Sequence, residues 1–281
     1  MRSLTETELR CMFCKSGELT LVHRYHAPPP IEVCFDLVDG KTYQRELLRC
    51  AHCGHFYSLH DMDLSAIYDG AYADANYAGD KMRQTFDRIV SLPSERSDNT
   101  WRVKRVRDFA HPILEARGLL ETLLDVGSGL AVFPYAMRGA GWNVTALDPD
   151  PRQSAHARDV AGVTSIHGDF MTLDTPGRYG LVSFNKVLEH TEDPVSMLRR
   201  SRDCLEAGGI CYVELPDGEM AIRDADGPNR EEFLIDHPHI FSAASMTLLA
   251  QKAGFRVDEL RRIREPSGKY TLYMFLSDNS A

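Results

Sequence analysis

No apolar run among the 281 residues approaches the roughly 18 that a membrane span needs. The first ten residues, MRSLTETELR, have no apolar stretch behind their charge, which argues against a secretory signal. Basic residues are in deficit: 32 Lys and Arg stand against 41 Asp and Glu, a net charge of −9. Phosphate binding rests on Lys and Arg, so this balance argues against a nucleic-acid partner. A third glycine is missing from the turn Gly127-Ser128-Gly129. Val132 stands where a dinucleotide fingerprint needs it, which argues against tight seating of a pyrophosphate. The seven cysteines are an odd number and include two close pairs, so a reducing cytoplasm and a metal site fit better than disulfides.

What is present fits a globular chain of one large and one small domain, with 43% hydrophobic and 26% charged residues. Three parts are expected: a zinc-binding ribbon at 1–60, a Tyr-rich helical connector or lid at 61–118, and an α/β domain at 119–281.

In the ribbon, Cys11-Met12-Phe13-Cys14 and Cys50-Ala51-His52-Cys53 are two Cys-x-x-Cys knuckles. Each places two thiolates on one tight turn, and together they complete a tetrahedral site of soft ligands suited to zinc. All four ligands come from the protein, so no position is open to substrate and the role is structural. His52 and His55 read as surface or supporting groups. Cys34, Cys204 and Cys211 read as buried thiols. In the connector, Tyr68, Tyr72 and Tyr77 either pack on one another or cover a pocket. A helical period from Trp101 to Arg117 places Val103, Val106, Phe109 and Ala110 on one side.

The α/β domain opens with a strand, Leu123–Val126, that runs into the two glycines. Strands follow at Asn143–Leu147, Val163–Ile166, Leu181–Phe184 and Gly209–Val213, with a late pair at Phe255–Leu260 and Tyr270–Phe275. Alternating strands and helices imply a mostly parallel sheet with helices on both faces. Ligands of such sheets bind beyond the carboxyl ends of the strands. Four groups fall there: Asp125 with Gly127, Ser128 and Gly129; Asp148 with Pro149; Asp169 with Phe170; and Asn185 with Lys186. An acid before the glycines suits a cationic ligand better than a phosphate. S-adenosylmethionine (SAM), with an amino group, a sulfonium and no phosphate, fits. Asp148 is spaced to accept from ribose hydroxyls, and Asp169 with Phe170 pairs an acceptor for an adenine amine with an apolar ring wall.

These motifs resemble the class I SAM-dependent methyltransferases, which implies a Rossmann-like sheet of seven strands. The run Asn185-Lys186-Val187-Leu188-Glu189-His190-Thr191-Glu192-Asp193-Pro194 is similar to that family's "LEH…DP" segment, which orients the cofactor and borders the substrate; His190 reads as a supporting group there, with a base as the alternative. Methylation of a hydroxyl, or of a carbon beside a ketone, requires removal of a proton. Asp236-His237-Pro238-His239 offers a His base with an orienting carboxylate. A tetra-Cys module, a Tyr-rich connector, a class I domain and a "(D/E)H…F-S" segment together resemble the sugar C-methyltransferases that act on nucleotide-linked deoxy-ketosugars. That resemblance implies a base at His237, with His239 as the alternative, Asp236 as its carboxylate, and Tyr72 and Tyr77 facing the sugar. The further C-terminal domain of those enzymes, which helps hold the nucleotide sugar, is not expected within these residues. The expected activity is methylation of a sugar or nucleotide-linked sugar at carbon or oxygen, in the cytoplasm. Two alternatives stand beside it. One is an RNA methyltransferase gripping its substrate through Arg10, Lys15, Arg24, Lys41, Arg45 and Arg49; the other is a non-catalytic adaptor. Oligomeric state is not legible.

Overall fold

A computed structural model of the protein describes residues 9–32, 42–62, 81–174 and 176–279. The chain builds two sheets. The larger is made of β4 (Thr122–Val126), β5 (Asn143–Asp148), β6 (Thr164–His167), β7 (Tyr179–Asn185), β8 (Leu205–Pro216), β10 (Phe255–Arg264) and β11 (Tyr270–Asp278). Their order across the sheet is β6-β5-β4-β7-β8-β11-β10. The first five run parallel, and the β10–β11 hairpin closes the edge antiparallel to β8. All seven expected strands are present. The central ones are short apolar runs because helices cover both of their faces. Chain order reverses direction at β4, between β5 and β7, and the crevice for a ligand opens at its carboxyl end.

Helices α1 (Lys81–Val90), α2 (Asp98–Ala116), α3 (Val132–Gly139), α4 (Pro151–Asp159), α5 (Pro194–Arg200) and α6 (Ala243–Ala253) flank the sheets. Ser97 caps α2 by accepting from the Thr100 amide. Val106, Ala110 and Leu114 of α2 are fully buried, and the Phe109 ring stacks on Phe275 with centroids 3.9 Å apart. The helix expected from Trp101 to Arg117 therefore packs on the sheet, starting three residues earlier. No helix among the described residues is long and apolar enough to cross a membrane.

The smaller sheet has the order β1 (Leu19–Tyr25), β2 (Arg45–Cys50), β3 (Phe56–Leu59) and β9 (His239–Ile240). Its fourth strand comes from the loop between β8 and α6, with Phe56 opposite Ile240 and Tyr57 opposite His239. The ribbon is thus sealed onto the α/β domain by a strand of that domain.

Candidate active site and metal centre

The glycine turn after β4 is built by backbone geometry. Gly127 has φ +69°, and a Cβ there would come within 2.7 Å of Val187 Cγ2. The amides of Gly127 and Ser128 donate to the Leu147 carbonyl at 2.8 and 3.2 Å, and the Ser128 hydroxyl donates to the Asp125 carbonyl. Asp148 accepts from the Gly129 and Asp150 amides at 2.8 and 2.9 Å, tying the end of β5 to the turn. Pro149 follows and accepts from His167 through its carbonyl. Asp125 accepts from Ser183 Oγ at 2.6 Å and from Asn185 Nδ2 at 2.7 Å. Burial pushes the Asp125 carboxyl up to about 6, against those two hydrogen bonds. Beside it, Asn185 Oδ1 is buried with no hydrogen-bond partner. A ligand with an amino or hydroxyl donor would satisfy the Asn185 oxygen.

Asp169 accepts from the Met171 amide, a turn-forming role that leaves its other oxygen for a ligand. The Phe170 ring is buried edge-on to Phe184. Lys186 takes φ +59°, unusual for a residue with a side chain, and its ammonium donates to Thr271 Oγ1 at 2.9 Å. Burial lowers its pKa, with Glu214 and Glu189 opposing.

Residues 98–260, more than half of the chain, match the family model described as "Methyltransferase domain". The chain belongs to that family. Among curated proteins it is similar to the ubiquinone biosynthesis O-methyltransferases of Xanthomonas campestris pv. campestris (strain B100), 30% identical over 98 residues, and of Pseudomonas paraeruginosa (strain DSM 24068 / PA7), 32% identical over 100. These matches cover 32% and 33% of this chain, and the chain spans only 41% and 43% of those relatives' length. Its fold is similar to that of magnesium protoporphyrin IX methyltransferase from Synechocystis PCC 6803, solved with S-adenosylhomocysteine. The TM-score is 0.54 and the identity 16%, over 77% of this chain and 100% of that one. The chain carries a methyltransferase domain, and the glycine turn, Asp125 and Asp148 stand at the carboxyl ends of β4 and β5, where ligands of open α/β sheets bind.

The methyltransferase separates its two loop histidines. His239 faces the ribbon: its Nδ1 lies 3.2 Å from His55 Nε2, and burial pushes its pKa down to about 4. His237 faces His190, with ring centroids 4.7 Å apart and edge to face. His237 Nδ1 donates to the Glu232 carbonyl at 3.0 Å, and His190 Nδ1 to the Asp236 carbonyl at 2.8 Å. A carbonyl only accepts, so both rings carry a proton on Nδ1. Burial pushes the His237 pKa down to about 4, so the ring is neutral at pH 7. The Asp236 carboxylate lies 3.6 Å from His190 Nδ1 and 3.9 Å from His237 Nε2. The expected Asp–His pair is therefore a three-residue group, and a main-chain carbonyl rather than Asp236 fixes the tautomer of His237. Tyr72, Tyr77 and Cys34 lie outside the described residues.

The ribbon grips this loop from both sides. On one side, Arg45 donates to the Phe233 carbonyl at 2.5 Å and Glu32 accepts from the Ile235 amide at 3.0 Å. On the other, the Ser58 amide donates to the Pro238 carbonyl at 3.2 Å, and Ser242 Oγ donates to the Cys53 carbonyl. Arg45 and Glu32 have no motif around them, and only their partners in the fold reveal their role. The same is true of Arg102, which holds the buried Glu214 of β8 at 2.5 and 2.8 Å, with Arg105 bridging Glu214 and Glu265. Burial opposes ionisation of Glu214, but Arg102 overrides it and holds the carboxyl well below its ordinary range. Among the described residues, four of the basic residues that a nucleic-acid grip would use are engaged within the protein: Arg10 donates to the Lys15 carbonyl, Arg24 pairs with Glu46, Arg49 with Glu219, and Arg45 is buried.

Cys11, Cys14, Cys50 and Cys53 bring their sulfurs within 4.8 Å of one another, with the Cys11–Cys53 and Cys14–Cys50 pairs at 3.4 Å. All four are free thiols. A tetrahedron with Zn–S bonds of about 2.3 Å has S···S edges of about 3.8 Å, so the set fits a zinc ion. Tyr57 donates to Cys11 Sγ and accepts from the Met12 amide, fixing the first knuckle.

Proposed function

We propose that this methyltransferase transfers the methyl group of SAM to a small acceptor, a sugar or nucleotide-linked sugar, at a hydroxyl or at a carbon beside a ketone. Either atom is a poor nucleophile until it loses a proton. Proton removal depends on His237, with His190 and Asp236 supporting it. The observation that carries this reading is the pair of facing imidazoles, their Nδ1 protons tied to main-chain carbonyls at 2.8 and 3.0 Å, with His237 kept neutral by burial, on the segment that follows β7 and the loop facing it. The sugar comes from the resemblance of the cysteine module, connector and Asp236-His237 segment to the sugar C-methyltransferases.

In the reaction the sulfonium is the leaving group, so the protein's task is alignment and deprotonation. Asp125, the glycine turn and Asp148 hold the cofactor. Zinc at the four cysteines would supply structural cross-linking only. It would keep the ribbon folded against the loop that carries His237.

The test is transfer of labelled methyl from SAM into a fractionated extract, using wild type and His237→Ala. Label is expected in small anionic metabolites and released by a sugar-nucleotide pyrophosphatase. The variant is expected to bind SAM as wild type does and to lose at least about 100-fold in turnover, the usual worth of a positioned acid–base group. Label in RNA, or turnover unchanged in the variant, overturns the reading.

A further inference from the structure

The acceptor cluster contains a group that proton removal as described does not use. Glu189, in the turn after β7, is fully buried, and neither carboxylate oxygen has a hydrogen-bond partner. A carboxylate removed from water without partners is strongly disfavoured. Burial pushes this carboxyl up, while His190, Lys186 and its own backbone N–H favour the charged form. Lys186 directs its ammonium hydrogen bond to Thr271 instead. Glu189, His190 and His237 each offer one ligand atom, and the three lie within 4.8 Å of one another. Both imidazoles donate from Nδ1 to a main-chain oxygen, the outer-shell arrangement that orients a metal-binding histidine and leaves Nε2 for the ion. The His190 side chain is 31% exposed, which gives an ion a way in.

We propose that Glu189, His190 and His237 form a second metal site, separate from the four cysteines, for one divalent zinc or first-row transition ion. Two imidazoles and one carboxylate select such an ion over magnesium or calcium, which favour oxygen ligands alone. Three protein ligands leave coordination positions open to an acceptor oxygen. The inference rests on the reading of this cluster as the acceptor site and deepens it. With the ion in place, His237 would be a ligand rather than the proton acceptor, the ion would favour the deprotonated acceptor, and the acceptor's proton would pass to solvent water. Asp236, 3.6 Å from His190 Nδ1, adds favourable charge, and Lys186 works against it.

The probe is cobalt(II), added to full-length protein whose cysteine site retains zinc after dialysis against a weak chelator. One equivalent per chain is expected to bind with weak d–d bands and no thiolate-to-metal charge transfer, because the proposed ligands are nitrogen and oxygen. Glu189→Gln and His237→Ala are each expected to weaken that binding at least tenfold while SAM affinity, which reports the intact fold, is unchanged. Absence of these bands in wild type, bands of thiolate character only, or equal binding in both variants overturns the proposal. If no cobalt binds yet His237→Ala abolishes methyl transfer, the metal inference falls and the acceptor-site reading stands. If cobalt binds and methyl transfer survives His237→Ala, the acceptor-site reading falls instead.

Discussion

Replacing Arg45 with methionine tests whether the ribbon holds the loop that carries His237. The Arg45 side chain is fully buried, donates to the Phe233 carbonyl and Ser58 Oγ, stands 3.4 Å from Glu32 Oε2 and lies 3.9 Å above the Tyr25 ring. Methionine keeps much of the stem but removes the charge and the donors. It leaves Glu32 as a buried carboxylate without its cation and the Phe233 carbonyl without its donor. Removing one member of a buried ion pair costs about 3–5 kcal/mol. The second change Glu32→Gln removes the stranded charge, and its amide can still serve Tyr43 and Ile235. The double variant is therefore expected to recover about 2 kcal/mol of the loss, because the charge is the costlier of the two orphans. The pH dependence follows from Glu32. Burial already raises its carboxyl with Arg45 present, and loss of Arg45 raises it further. An acid whose folded pKa lies above its unfolded value destabilises the fold when ionised, so the penalty of Arg45→Met is largest at pH 8 and shrinks as pH falls and Glu32 takes up a proton. Urea unfolding across pH measures this, and SAM titration and methyl transfer on the same samples read the site. SAM affinity is expected to hold, because the crevice lies on the other sheet, while methyl transfer drops. A loss under about 1 kcal/mol, a penalty that does not change with pH, or a double variant no better than the single would each refute the reasoning.

Asp125 gives a prediction of opposite signs. Its carboxyl stands at about 6 in the folded protein. As pH falls from 7 toward 4 the cofactor-free fold should gain up to about 3 kcal/mol from this group, since a shift of about two units is released on protonation. On the proposal that Asp125 holds the cofactor's amino group, SAM affinity should fall over the same range as its carboxylate is lost. Calorimetric titration of SAM and thermal unfolding of the cofactor-free protein check the pair, and parallel trends would remove Asp125 from the cofactor's charge balance. Stripping the cysteine site with a strong chelator should raise hydrogen exchange at the Ser58 amide, which donates to Pro238, and leave the Leu124 amide in the central sheet protected. Equal exchange at Ser58 with and without chelator would separate the metal from the loop.

The parallel sheet was legible because its strands are short apolar runs, several of them ending at a glycine or an acid. Leu123–Val126 into Gly127, and Asn143–Leu147 into Asp148, are local signals, and the structure keeps both. The cysteine knuckles were legible for the same reason, since each pair occupies one turn. His237 and His239 show where local reading stops. Two residues apart, they look like one pair, yet one faces His190 and the other faces His55. Glu189 was visible only as part of a family motif, because the histidine that completes its cluster, His237, comes from a loop 48 positions later.

The sequence by itself determined the strand pattern, the glycine turn and the four thiols, since turns, periodicity and knuckles depend on residues a few positions apart. Only the tertiary structure decided that a strand of the loop carrying His237 completes the ribbon sheet. It alone made Arg45 and Glu32 the clamp on that loop, and it alone brought His190, His237 and Glu189 together as one group. These contacts join residues far apart in the chain, and burial makes their unpaired charges costly. Such a cost appears only when the low-dielectric interior has formed around them.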